Sequence, residues 1–232
     1  MKDQGSLRER LVDVGAELVA AEGPAALGLR EIARRAGVSH GAPRRYFPTH
    51  HALLSAIAQR GFQELRARFE AALAESGPAR TRLGAVARAY VRYALECRGM
   101  YELMFRHDLL EGPPQAPDRP RLRESSLPLF ERMTGLVAQC RAEAATGGRG
   151  EPGGSAAPDD DDDGGAAVVA AALWSNLHGV AQLWAWGSLP LALDATLPPS
   201  GPAEAEGDDP AGRRLERLVT AVVDAHLGPA SP

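Results

Sequence analysis

The chain has 232 residues, with 26 Lys+Arg against 30 Asp+Glu, six His and two Cys. That length allows one large domain or two smaller ones with a real core, and 44% hydrophobic residues exclude global disorder. The formal charge of −4 argues at first sight against nucleic acid, but residues 1–60 carry nine basic and six acidic groups while residues 61–232 carry a balance of −7. A basic head on an acidic body is a signal in its own right. Of the basic residues 25 are Arg and only Lys2 is Lys, a bias that fits a GC-rich genome as well as recognition chemistry.

Helical periodicity dominates from the start, and the expected class is all-α. Leu11, Val14, Leu18 and Val19 fall on one face of a helix from about Leu7 to Ala21, which Gly23-Pro24 stops. A short second helix covers about Arg30 to Ala36, with Ile32 and Ala33 inward, and Gly37 supplies a left-handed cap. A third helix is entered at Val38 with Ser39 as its N-cap, unless Pro43, which lacks an N–H, delays its start to near Gly41. Pro48-Thr49 opens a long fourth helix through Leu53, Leu54, Ile57, Phe62, Leu65 and Phe69 to Gly77-Pro78. Further helices are expected at about 79–97, 100–110, 121–145, 166–187 and 211–227, with mobile low-complexity loops at 147–165 and 197–212. Asp159 to Asp163 lack the spaced ligands and turn glycine of a calcium loop, so this run reads as a solvated spacer.

Residues 166–187 hold no formal charge and are long enough to span a bilayer. Ser175, Asn176, His178 and Gln182 cluster in the middle, however, where polar groups cost most in lipid, and no basic flank orients the segment. A soluble helix buried nearly all round is the better expectation. The N-terminal MKDQGSLRER has no apolar core for export, and Cys97 and Cys140 show neither ligand spacing nor a disulfide framework. Both read as buried thiols in a cytoplasmic protein without a membrane partner.

The segment LGLREIARRAGVSHGAPRRYFPTHHALL (27–54) carries the functional signal. A short helix, a Gly-containing turn and a second helix make a helix-turn-helix, whose second helix can lie in a DNA major groove. Ala33, Ala36 and Gly37 are small where two helices pack closely. Ser39, His40 and Gly41 lie where the second helix approaches base edges and phosphates, and Arg44, Arg45 and Tyr46 add two guanidinium groups and a phenol. Composition alone leaves open an ordinary helix pair with solvated arginines.

The ordered wording decides between them. REIARRAGVS (30–39), then Gly41, Tyr46-Phe47-Pro48 and the leucines at 53 and 54, resembles the DNA-binding signature of the TetR (tetracycline repressor) family of bacterial transcription regulators. The resemblance implies a DNA-binding domain over 1–54 and a helical effector-binding and dimerisation domain over 55–232. It also implies DNA contacts from Arg30, Ser39, His40, Gly41, Arg44, Arg45, Tyr46 and His50. Gly28 stands where the family usually has a capping Thr, Arg44 where it has Tyr, and His50 where it has Lys. AYVRYALECRGMYELMF (89–105) and WSNLHGVAQLW (174–184) are similar to the subclass named for Trp, His and Gly, with Trp174, His178 and Gly179 matching.

In such a regulator the effector sits among helices of the larger domain, in a mostly apolar pocket with a few polar groups. Tyr90, Tyr93, Met104, Phe105, His107, Trp174, His178 and Trp184 are the candidates, each also explicable as core. No metal spacing, catalytic wording or cofactor motif is seen in the sequence. The expected partners are a palindromic double-stranded DNA operator, an unidentified small molecule and a second copy of the chain. Leu215, Leu218, Val222 and Leu227 join the 166–187 helix in the expected dimer face. A non-inducible architectural DNA-binding protein and a small helical enzyme around His178 are the alternatives.

Overall fold

The computed structural model describes residues 6–74, 76–106, 110, 122–147, 162–196 and 209–229. Among these residues every regular element is helical: α1 (Leu7–Glu22), a 3-10 turn (Pro24–Ala26), α2 (Leu29–Arg35), α3 (Pro43–Tyr46), α4 (His50–Ala72) and α5 (Ala79–Glu96). They are followed by α6 (Arg98–Met104), α7 (Leu122–Gly147), α8 (Asp162–Ala185), α9 (Ser188–Thr196) and α10 (Pro210–Leu227). The expected loops at 147–165 and 197–212, with the Asp run, lie largely outside the described residues. Their described edges are helical: α8 begins at Asp162 and α10 at Pro210.

Contacts divide the chain into two units, Met1–Ala67 with Glu96–Pro128, and Arg68–Leu95 with Leu129–Pro232. The functional boundary expected at residue 54 falls inside α4.

In the first unit, α1 starts on a reciprocal cap. The Ser6 hydroxyl accepts from the Glu9 N–H at 3.3 Å, and the Glu9 carboxylate accepts from the Ser6 N–H at 2.8 Å. Gly23, at φ 81°, ends the helix. Leu11, Leu18 and Val19 are fully buried, as are Ile32 of α2 and Leu53 and Ile57 of α4, while Val14, expected on the α1 stripe, is half-buried and Val12 and Gly15 are buried instead. Gly15 allows the close approach of α1 and α4, because a Cβ there would stand 2.3 Å from the Ile57 Cδ1. α6 also packs on α1, where a Cβ on Gly99 would lie 2.2 Å from the Val19 carbonyl oxygen.

The second unit is built on α5, whose Leu83, Val86, Ala87, Tyr90, Val91 and Ala94 are buried at helical spacing. Met133, Leu136 and Val137 of α7, Leu173 and Leu177 of α8, and Val219 and Val223 of α10 are buried in the same unit. The Glu143 carboxylate accepts from the Ala79 N–H at 3.0 Å, capping the positive end of α5 from another helix. Arg80 and Asp224 pair at 2.5 Å, tying α5 to α10.

Three expectations are corrected. The helix over 166–187 is not buried all round, since only 28% of its apolar window is covered. Val168 is 70% exposed and Leu183 40% exposed, because α9 and α10 pack on part of its circumference and leave a stripe open. Trp186 is also exposed, at 64%. α9 is an element the sequence does not announce: its nine residues give too short a pattern, although Gly187, at φ 79°, marks the break from α8. Cys97 is half-buried at the junction of α5 and α6, while Cys140 is buried as expected.

Candidate nucleic-acid interface

The helix-turn-helix is short and tightly punctuated. α2 ends at Ala36, and Gly37 adopts φ 67°, a left-handed turn that L side chains rarely adopt. Ser39 does not cap a helix, contrary to expectation. Its carbonyl accepts from the Ala42 N–H at 2.9 Å in a turn, and α3 begins only at Pro43. Proline decides this start: at the first helical position its missing N–H is one the helix does not use, whereas deeper it would clash. Phe47 then turns the chain, buried under Arg8 of α1, whose guanidinium lies 5.2 Å from the ring centroid.

This geometry sorts the arginines into two classes. Arg34 and Arg35 of α2 converge on Glu31 at 2.6 and 2.7 Å, and Arg35 also pairs with Glu22 of α1. Hydrogen bonds from Arg34 and Arg35 hold the Glu31 carboxyl down at about 2, so the charges offset one another near neutral pH. Arg30, Arg44 and Arg45 are exposed and form no ion pair among the described residues. Ser39, His40 and Gly41 are exposed beside them in the chain, and Tyr46 is half-buried. The surface thus presents uncommitted guanidinium groups around a short helix, the chemistry that suits phosphate and guanine.

His50 is exposed, but its Nε2 lies 2.5 Å from the carbonyl oxygen of Leu27. The Thr49 hydroxyl accepts from the Ala52 N–H at 3.1 Å and caps α4. Sequence reasoning missed both the Glu31 cluster and the Thr49 cap. The i, i+3, i+4 spacing of Glu31, Arg34 and Arg35 carried the first, and the Pro-Thr entry to α4 carried the second.

The aromatic candidates fall into separate groups. In the second unit the Trp174 indole N–H donates to the Tyr90 hydroxyl at 2.9 Å, and that oxygen lies 3.0 Å from His178 Nδ1. The Trp174 and His178 rings meet edge-on at 6.0 Å. Burial pushes the His178 imidazole below its ordinary pKa, favouring the neutral ring. The Tyr90 hydroxyl thus accepts from Trp174 and shares a second hydrogen bond with His178 Nδ1. Tyr93 is buried in the same unit with the Arg68 guanidinium 5.0 Å from its ring centroid, and Trp184 is half-buried on α8. Met104 and Phe105 belong to the first unit: Met104 packs on Gly61, and Phe105 makes edge contacts with Phe62 at 5.8 Å and Tyr101 at 5.0 Å. His107 lies outside the described residues.

A groove of about 530 Å³ in the first unit is lined by Asp13, Glu17, Arg60, Glu64, Glu96 and Arg98, among others, and by none of the aromatic candidates. Arg60 pairs there with Asp13 at 3.2 Å and Glu64 at 3.6 Å, as expected of a solvated polar surface.

Comparison with known proteins settles the identity of this arrangement. Residues 11–57 match the model of bacterial regulatory proteins of the tetR family, and residues 83–197 match that of the tetracyclin repressor-like C-terminal domain. The chain belongs to the TetR family. Like other TetR-family members it is a DNA-binding transcription regulator and not an enzyme. A protein of unknown function from Rhodococcus sp. RHA1 is 30% identical, with 97% of this chain and 96% of that chain covered and a TM-score of 0.66. A TetR-family regulatory protein from Rhodococcus RHA1 shares the fold at 20% identity and a TM-score of 0.59, covering 98% of this chain and 100% of that one. The TetR-family regulator PfmR from Thermus thermophilus does so at 20% identity and 0.52, covering 96% and 100%. No curated protein sequence matches.

Proposed function

We propose that this TetR-family protein is a cytoplasmic, homodimeric repressor that leaves a palindromic operator when a small, largely apolar molecule binds its larger domain. Residues 1–54 bear the DNA-binding function and residues 55–232 the effector and dimer functions, with a C-terminal domain of the Trp-His-Gly subclass. The observation that carries the DNA assignment is the contrast between committed Arg34 and Arg35 and exposed, uncommitted Arg30, Arg44 and Arg45. Ser39, His40, Gly41 and Tyr46 complete the surface.

The Trp174–Tyr90–His178 chain supports an effector site that is mostly apolar with a few oriented polar groups. Tyr93 and Trp184 of the same unit are the other candidate contacts. The open stripe on α8 supports a dimer through α8 and α10, where Leu215, Leu218, Val222 and Leu227 are half-buried. A covered stripe also accounts for a long apolar helix without a membrane. Two recognition helices must sit about 34–36 Å apart to enter successive major grooves, and an effector acts by binding better to a conformation with another spacing.

Replacing Arg44 and Arg45 with Ala tests this reading. The variant keeps its fold and dimer, but its affinity for a duplex selected from a random-sequence library falls. The slope of log affinity against log salt becomes shallower by about 0.9 for each phosphate no longer neutralised. Unchanged affinity and slope would remove α3 from the interface.

A further inference from the structure

The donor and acceptor roles at His50 are fixed by its partner. A carbonyl oxygen only accepts, so the proton between Nε2 and the Leu27 oxygen belongs to the imidazole. Leu27 is buried and stands just before Gly28, the N-cap of α2, which offers no side-chain hydrogen bond. The first helical acceptor of α2 is the Gly28 carbonyl, taken by the Ile32 N–H at 3.0 Å. The Leu27 carbonyl therefore lies outside the helical ladder, and among the described residues His50 is its donor.

We propose that His50 is a positioning residue for DNA binding, clasping the first residue of α4 to the entrance of α2 rather than holding a phosphate. This rests on the DNA-binding reading of the α2–α3 surface and deepens it. The Nε2 proton given to Leu27 is not offered to a phosphate oxygen, so the nitrogen that the fold places serves the backbone. The clasp spans the whole helix-turn-helix: α2, the Gly37 turn and α3 all lie between residues 27 and 50. It fixes one end of α2 while the Glu31–Arg35–Glu22 pairs fix its other end on α1. With both ends held, the exposed side chains of α3 keep their placement against the groove. Thr49 contributes from the other side by capping α4 and setting the direction in which His50 leaves the helix.

The amides of glutamine and asparagine separate the two ring nitrogens, because Gln carries its N–H₂ near the position of Nε2 and Asn near that of Nδ1. In the full-length protein, His50→Ala weakens binding to the library-selected duplex roughly three- to tenfold, the loss expected for one net hydrogen bond. The salt slope stays as it was, because the same phosphates are neutralised. His50→Gln restores affinity and His50→Asn does not. Amide hydrogen exchange over residues 28–35 speeds up in the Ala and Asn variants and returns in the Gln variant. A salt slope shallower by about 0.9 in His50→Ala, rescue by Asn instead of Gln, or unaltered exchange would each overturn the clasp. The exchange arm uses no DNA, so failure of the library to yield a duplex would count against the DNA reading while exchange still judged the clasp.

Discussion

Removing one oxygen atom from Tyr90 is the sharpest probe of the second unit. Tyr90→Phe keeps the ring in a site that is only 2% exposed, so apolar burial is nearly unchanged. It takes away the acceptor for the Trp174 indole N–H at 2.9 Å and the hydrogen-bond partner of His178 Nδ1 at 3.0 Å. A buried polar group left without its partner costs about 1–3 kcal/mol. Trp174 and His178 are half-buried, so water relieves part of that cost, and a total of about 1–2 kcal/mol is expected. At roughly 2–4 °C per kcal/mol for a chain of this size, the thermal midpoint falls by about 2–8 °C.

The pH dependence carries a second signature. Burial lowers the His178 pKa in the folded state, so the unfolded chain takes up this proton first as pH falls. The contribution is complete above the unfolded value of about 6.5, and is lost as pH falls from there through the lower folded value. Tyr90→Phe keeps the burial that causes this shift, so stability falls as steeply on acidification as in the unaltered protein. The assay is chemical denaturation from pH 7.5 to 5.5, with Tyr90→Phe, Trp174→Phe and the double variant forming a cycle. An unchanged midpoint, or a coupling below about 0.3 kcal/mol between the two positions, would refute the relay.

Two other predictions concern packing. Leu183→Glu with Trp186→Glu leaves monomer stability nearly unchanged, because both side chains are exposed in the single chain. The same pair shifts sedimentation equilibrium toward monomer, and an intact dimer would move the interface elsewhere. Gly99→Ala places a methyl group 2.2 Å from the backbone oxygen of Val19, which cannot rotate away. It costs about 1–3 kcal/mol by overpacking α6 against α1, read from the denaturation midpoint, and an unaltered midpoint would show that the contact is loose.

Much of this protein was legible in its sequence because helical period, breakers and the ordered helix-turn-helix wording are local properties. Leu11, Leu18 and Val19 declared most of the buried stripe of α1, Gly23 and Gly37 declared the stops, and the wording of residues 30–54 declared the tetR-family helix-turn-helix. The sequence also marked Pro43 as the residue that would delay α3 to near Gly41, and α3 starts later still, at Pro43 itself. Which arginines are committed was not legible in full. Glu31 lies within reach of Arg34 and Arg35 by helix spacing, but Glu22 reaches Arg35 only because α1 and α2 pack together.

Tertiary structure alone decided the rest, because burial and hydrogen-bond direction depend on neighbours far along the chain. Tyr90 and His178 are 88 residues apart, and only folding brings the hydroxyl within 3.0 Å of the imidazole. Met104 and Phe105, which share an apolar pattern with the other aromatic candidates, pack instead in the unit that holds α1 to α3. The apolar helix over 166–187 shows the division most plainly. Its composition determined that it must be covered by something, whereas the packing of α9 and α10 determined which stripe was left uncovered. His50 is the smallest instance: its residue type allowed a phosphate contact, and a fold that brings the Leu27 carbonyl to within 2.5 Å gave its proton another acceptor.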